Sequence, residues 1–82
     1  MPAIKQLTLY STSACHLCEN AKKLIWPFLH SYGYTLREVD IVESENLMQV
    51  YGLRIPVISF ENGGELDWPF TDNDLNEFFQ GH

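Results

Sequence analysis

Two cysteines, Cys15 and Cys18, stand three positions apart where one hydrophobic pattern gives way to another. Before them, Lys5–Tyr10 is rich in Leu, Thr and Tyr and reads as a β-strand. After them, Leu17, Ala21, Leu24, Ile25 and Phe28 recur at helical spacing. Ser11-Thr12-Ser13 forms a polar break between the two and can cap the helix. The helix is expected to run to about Tyr32, with Gly33 as its stop. Pro27 lies inside it and cannot donate a hydrogen bond to the Lys23 carbonyl, which predicts a kink or an early end.

The rest of the chain continues the alternation. Leu36–Ile41 reads as a second strand, with charged residues that suit a sheet edge. Ser44 can cap a short helix that has Leu47, Val50 and Tyr51 on one face and Gly52 at its end. Val57–Phe60 is a compact apolar strand, and Glu61-Asn62-Gly63-Gly64 is a turn, because Asn-Gly supplies the positive φ angles of a tight hairpin. Glu65–Trp68 returns as a strand that Trp68-Pro69 ends. Thr71 or Asp72 then caps a last helix in which Leu75, Phe78 and Phe79 face inward.

The order is β-α-β, α, a ββ hairpin, then α. A strand–helix–strand unit makes parallel neighbours through a right-handed crossover, and a hairpin adds antiparallel strands. The expected class is therefore α/β: one four-stranded mixed sheet with helices on both faces. At 82 residues this is one domain.

Composition narrows the function. Hydrophobic residues make up 45% and aromatic residues 13%, enough for a packed core rather than a disordered chain. No apolar run approaches the roughly 18 residues of a membrane helix. The first residues lead straight into a strand without the apolar stretch of a signal peptide, so the expected compartment is the reducing cytoplasm. There a cysteine pair this close, which closes almost no loop, reads as reactive or metal-binding rather than as a structural staple. The net charge is −6 and uneven: five acidic residues balance five basic ones up to Arg54, and the six that follow have no basic counterpart. This argues against nucleic acid and anionic membranes as partners and suits a solvated acidic face.

The position of Cys15 is what carries chemistry. A helix N-terminus has unpaired N–H groups and a positive dipole end, and both stabilise a thiolate. Cysteines in such places have pKa values of about 3.5–7.5 instead of about 8.5. Cys15 then reads as the nucleophile. Cys18, one helical turn later, reads as the more buried resolving thiol, which returns to the Cys15 sulfur. A metal site is the competing class, since two cysteines are half of a tetrahedral zinc or iron–sulfur shell. No second cysteine pair exists to complete it.

The chain resembles the glutaredoxin-like branch of the thioredoxin superfamily. Tyr10-Ser11 leading into Cys15-His16-Leu17-Cys18, the segment Tyr51-Gly52-Leu53-Arg54-Ile55-Pro56-Val57, and the element order carry the resemblance. It implies a thioredoxin-like fold and a thiol–disulfide oxidoreductase acting as a monomer. Disulfide-containing proteins, glutathione, or both would be its partners. It also implies that Pro56 is cis and faces the cysteines, leaving the backbone of Ile55 to pair with a substrate strand. No resident cofactor is expected, and glutathione enters as a co-substrate. Arg54, with Thr71 and Asp72 at the start of the last helix, would meet its carboxylates, and His16 and Leu17 would flank the nucleophile.

The chain departs from the family in three places. Thr12 stands where the family has a basic residue, Arg54 where it has threonine, and the usual double glycine near the last helix is absent. A cluster shared between two chains and a binding module without turnover remain the alternatives. His30 and His82 read as incidental surface residues, and Trp26 and Trp68 as packing residues.

Overall fold

The computed structural model describes residues 5–13, 15–61 and 63–81. Strand β1 (Lys5–Ser11) buries Leu7, Leu9 and Ser11 on one face and half-buries Gln6, Thr8 and Tyr10 on the other. A strand covered on both faces belongs inside a sheet, and the strand order is β2-β1-β3-β4. Strand β2 (Tyr34–Asp40) runs parallel to β1, in register from Lys5 opposite Tyr34 to Ser11 opposite Asp40. Strand β3 (Val57–Phe60) is antiparallel to β1, with Tyr10 opposite Val57, and β4 (Glu65–Asp67) completes the hairpin. Both sheet edges carry charge, Arg37 and Glu38 on β2 and Glu65 and Asp67 on β4, which discourages edge-to-edge association.

Helix α1 (His16–Tyr32) buries Cys18, Ala21, Ile25 and Leu29, a single stripe at helical spacing. With α3 (Asp72–Gln80) it covers the face carrying Leu7, Leu9, Ile58 and Phe60. Phe79 is the hub. Its ring stacks on Phe28 and Tyr32 at centroid distances of 5.7 and 5.2 Å and meets Phe60 edge-on at 5.4 Å. Helix α2 (Glu45–Tyr51) closes the opposite face, where Tyr51 stacks on Tyr10 at 4.0 Å beside Ile41 and Val57. One mixed sheet with helices on both faces is the thioredoxin-like arrangement that the element order predicts. Among the described residues, no helix is long and apolar enough to cross a membrane.

Several local expectations are corrected. The cap of α1 is Cys15 itself and not the Ser11–Ser13 break. Helix α1 does not end at Pro27. The proline lies on the exposed side, where water can satisfy the freed Lys23 carbonyl. Gly33, at φ 73°, closes the helix in one residue by donating to the Leu29 carbonyl, so β2 starts at Tyr34 rather than Leu36. Strand β2 also stops at Asp40, whose side chain caps a single 3₁₀ turn, Ile41–Glu43. Val50 faces solvent rather than sharing the inward face of Leu47 and Tyr51. Strand β4 ends one residue before Trp68. The hairpin turn has Gly63 at φ 101°, and Asn62 lies outside the described residues.

Candidate active site

Strand β1 delivers the chain to Thr12, whose carbonyl accepts the Cys15 amide at 3.2 Å. That bond turns Cys15 into the extended cap position of α1, with φ −89° and ψ 104°. The Cys15 sulfur then accepts the Cys18 amide at 3.1 Å, as a serine or aspartate oxygen does at other helix starts. The two cysteines are joined in a disulfide with their Cα atoms 5.2 Å apart. Their burial differs: Cys15 is partly exposed, while Cys18 is 3% exposed inside the apolar stripe of α1. One sulfur can therefore be reached from solvent, and the other can be reached mainly from its partner.

A cavity of about 260 Å³ opens beside the disulfide. Its floor is the end of β1, Ser11 to Ser13, and Cys15 and Cys18 form part of its wall. Glu19 and Lys22, one turn further along α1, form the near side, and Glu38 and Asp40 of β2 the far side. The parallel register, Ser11 opposite Asp40, is what carries these β2 carboxylates to the cysteines. Lys22 is held between two of them, its Nζ 3.2 Å from Glu19 and 3.0 Å from Glu38. The hydrogen bond to Glu38 is the main cause that raises its pKa, so Lys22 stays cationic. Asp40 accepts the Val42 amide at 3.0 Å. The cavity thus holds three carboxylates against one ammonium.

The residues expected around the cysteines divide into several groups. The Ile55–Pro56 bond is cis, and Pro56 is fully buried. Because Tyr10 pairs with Val57, Pro56 lies at the end of the sheet from which β1 runs on to Cys15. It is not part of the cavity wall, which is on the β2 side. The Pro56 carbonyl accepts the Trp68 amide at 3.0 Å. The Ile55 amide donates to the Tyr51 carbonyl at 3.0 Å.

Arg54 requires the clearest correction. Its guanidinium makes two bonds to Asp67, of 2.9 and 2.8 Å, and one of 2.9 Å to Glu65, and it lies over the Tyr51 ring at 5.0 Å. A guanidinium bound in this way locks α2 to β4 and is not free for a ligand carboxylate. Its pKa is raised, first by Asp67, and Asp67 is held below its ordinary range, first by Arg54. Tyr51 donates its hydroxyl to Glu65, and burial, then that bond, pushes its pKa up. At α3, Thr71 and Asp74 form a reciprocal capping box that already engages the amides of Thr71 and Asp74, and Asp72 is exposed beside it.

His16 and Leu17 are exposed on the first turn of α1, and His30 is exposed as well. His82 lies outside the described residues. Trp68 packs edge-on against Phe70 at 5.0 Å. Trp26, expected to pack, is instead 68% exposed, on the flank of α1 that borders β2. Sequence reasoning missed Glu19, Lys22, Glu38 and Asp40 at the site, and the second cis bond, Trp68–Pro69. Glu19 and Lys22 carried a signal, each lying four residues beyond a cysteine on the helix. Glu38 and Asp40 carried none, since only the strand register brings them near. Among the described residues, no group of three or more His, Cys, Asp or Glu side chains is placed to hold a metal ion.

The chain can be set beside known proteins. The model of the Glutaredoxin-like domain (DUF836) matches residues 6–80. XcR50 of X. campestris, known from an X-ray structure, is 34% identical, with a TM-score of 0.80 over 93% of this chain and 97% of that one. Protein Ne2328 from Nitrosomonas europaea is 21% identical, with a TM-score of 0.78 over 95% and 94% of the two chains. A malarial protein is 18% identical, with a TM-score of 0.68 over 98% of each. At those identities the last two share the fold. No curated protein matches the chain. With a strand-to-helix cysteine pair, a cis-proline before β3 and a family model spanning nearly its whole length, the chain belongs to the glutaredoxin-like domain family.

Proposed function

We propose that this protein is a thiol–disulfide oxidoreductase working through Cys15 and Cys18. The observation that supports this most directly is the unequal setting of the two sulfurs. Cys15 caps α1 and is reachable, while Cys18 is buried behind it. In the reduced protein, the amide that donates to the Cys15 sulfur and the positive end of α1 both favour a thiolate there. That thiolate attacks one sulfur of a substrate disulfide. The substrate S–S bond breaks, and the leaving sulfur takes up a proton. Cys18, deprotonated, then attacks the Cys15 sulfur. The mixed disulfide breaks, the second substrate sulfur leaves and is protonated, and the Cys15–Cys18 disulfide remains. The substrate gains two electrons and two protons, and an external thiol reductant returns the pair to the dithiol. Protein disulfides and glutathione mixed disulfides are the substrates of this reading, and a reducing cytoplasm is its compartment.

The test is to trap the intermediate. Cys18→Ser should accumulate mixed disulfides on Cys15 in a cell extract, and Cys15→Ser should accumulate none, as read by non-reducing gels and mass spectrometry. The reading fails if Cys18→Ser traps nothing and the wild type reduces neither insulin nor a glutathione mixed disulfide.

A further inference from the structure

The electrostatics of the site point to one class of substrate. We infer that the cysteine pair acts on polypeptide disulfides flanked by basic residues and discriminates against acidic thiols such as glutathione. This rests on the proposed exchange reaction and specifies its substrate.

A chain joined to Cys15 lies against the cavity into which the disulfide opens, and Glu19, Glu38 and Asp40 stand in its wall. The only cation there among the described residues, Lys22, is already shared between Glu19 and Glu38. Neither of the two features best suited to an incoming carboxylate offers an uncompensated positive charge. Arg54 is bound to Asp67 and Glu65 on the other face of the sheet. The start of α3 carries the carboxylates of Asp72 and Asp74, and its Thr71–Asp74 capping box engages two of its amides. After Arg54 the chain has no lysine or arginine. A carboxylate entering the cavity therefore meets three carboxylates and one cation that is already paired, whereas a lysine or arginine next to the substrate cysteine meets three carboxylates that share a single cation. Like-charge contact selects against the wrong partner as effectively as attraction selects the right one.

The experiment measures exchange between reduced protein and three disulfide peptides that differ only beside the cysteine: lysine neighbours, glutamate neighbours, and a glutathionylated form. At low ionic strength, the lysine peptide should react about fivefold faster than either other peptide or more, the factor for one unscreened charge pair about 4 Å apart in water. The preference should collapse near 1 M salt, where the screening length is about 3 Å. Glu38→Gln and Asp40→Asn should each narrow it. The wild-type salt dependence decides the matter even if a variant folds poorly. Equal rates, or faster reaction of the glutamate or glutathionylated peptide, would overturn the specificity and leave the oxidoreductase standing. No exchange with any of the three would overturn the oxidoreductase itself.

Discussion

At the scale of single residues, Arg54 is the most informative side chain. Its position just before a cis-proline suggested a ligand contact, but its donors hold two β4 carboxylates and its plane covers Tyr51. Arg54→Met should lower stability at neutral pH by about 0.2–1 kcal/mol, the range for exposed ion pairs, since both partners are partly solvated. The pH dependence has a definite sign. Asp67 sits below its ordinary 3.8 because Arg54 bonds its ionised form, and desolvation works against this. A group depressed in this way stabilises the fold above its unfolded pKa and loses that contribution as the pH falls through its folded value. Urea denaturation of wild type and variant should therefore show a gap at pH 7 that closes in acid. A gap that persists would assign the role of Arg54 to its packing on Tyr51. The cysteines behaved differently from Arg54. Their place at a strand-to-helix junction could be read from the local pattern, because the strand before them and the helix after them each declare themselves within a few residues.

At the scale of elements, the helical periods of α1 and α3 were legible, because burying one stripe leaves a regular apolar spacing. Boundaries were less so. A single left-handed glycine separates α1 from β2, and the polar Tyr34-Thr35 opening of the strand carries no apolar alternation. Pro27 misled in the other direction, since a freed carbonyl on the exposed side of a helix weakens the helix without ending it. Pro27→Ala should restore the bond to Lys23 and raise stability by about 1–3 kcal/mol. For a domain of this size, each kcal/mol is worth about 4–8 °C in Tm. A thermal melt showing no gain would mean that the turn around Lys23 is distorted independently of the proline.

At the scale of the whole molecule, two apolar layers share one sheet, so neither face can be lost alone. A small domain buries a modest fraction of its surface and has little stability to lose. Phe79 is 2% exposed and touches rings from α1, β2 and β3. Phe79→Ala should cost about 3–5 kcal/mol and leave a substantial unfolded population at 37 °C. Loss of near-ultraviolet circular dichroism with a lowered, less cooperative melt would confirm this. A variant that melts like the wild type would locate the core's weight elsewhere.

What the sequence determined by itself is what short-range physics controls: the α/β element order, the strand-to-helix placement of Cys15 and Cys18, and the inward faces of α1 and α3. Each follows from hydrogen bonding, capping or periodicity within a few residues. Tertiary structure alone decided the rest. The register of β1 with β2 brings Glu38 and Asp40 beside a disulfide twenty or more residues earlier. The β3–β4 hairpin sets Glu65 and Asp67 beneath Arg54 and so removes that cation from the site. Charges far apart in the chain interact through space, and only the completed sheet fixes those distances.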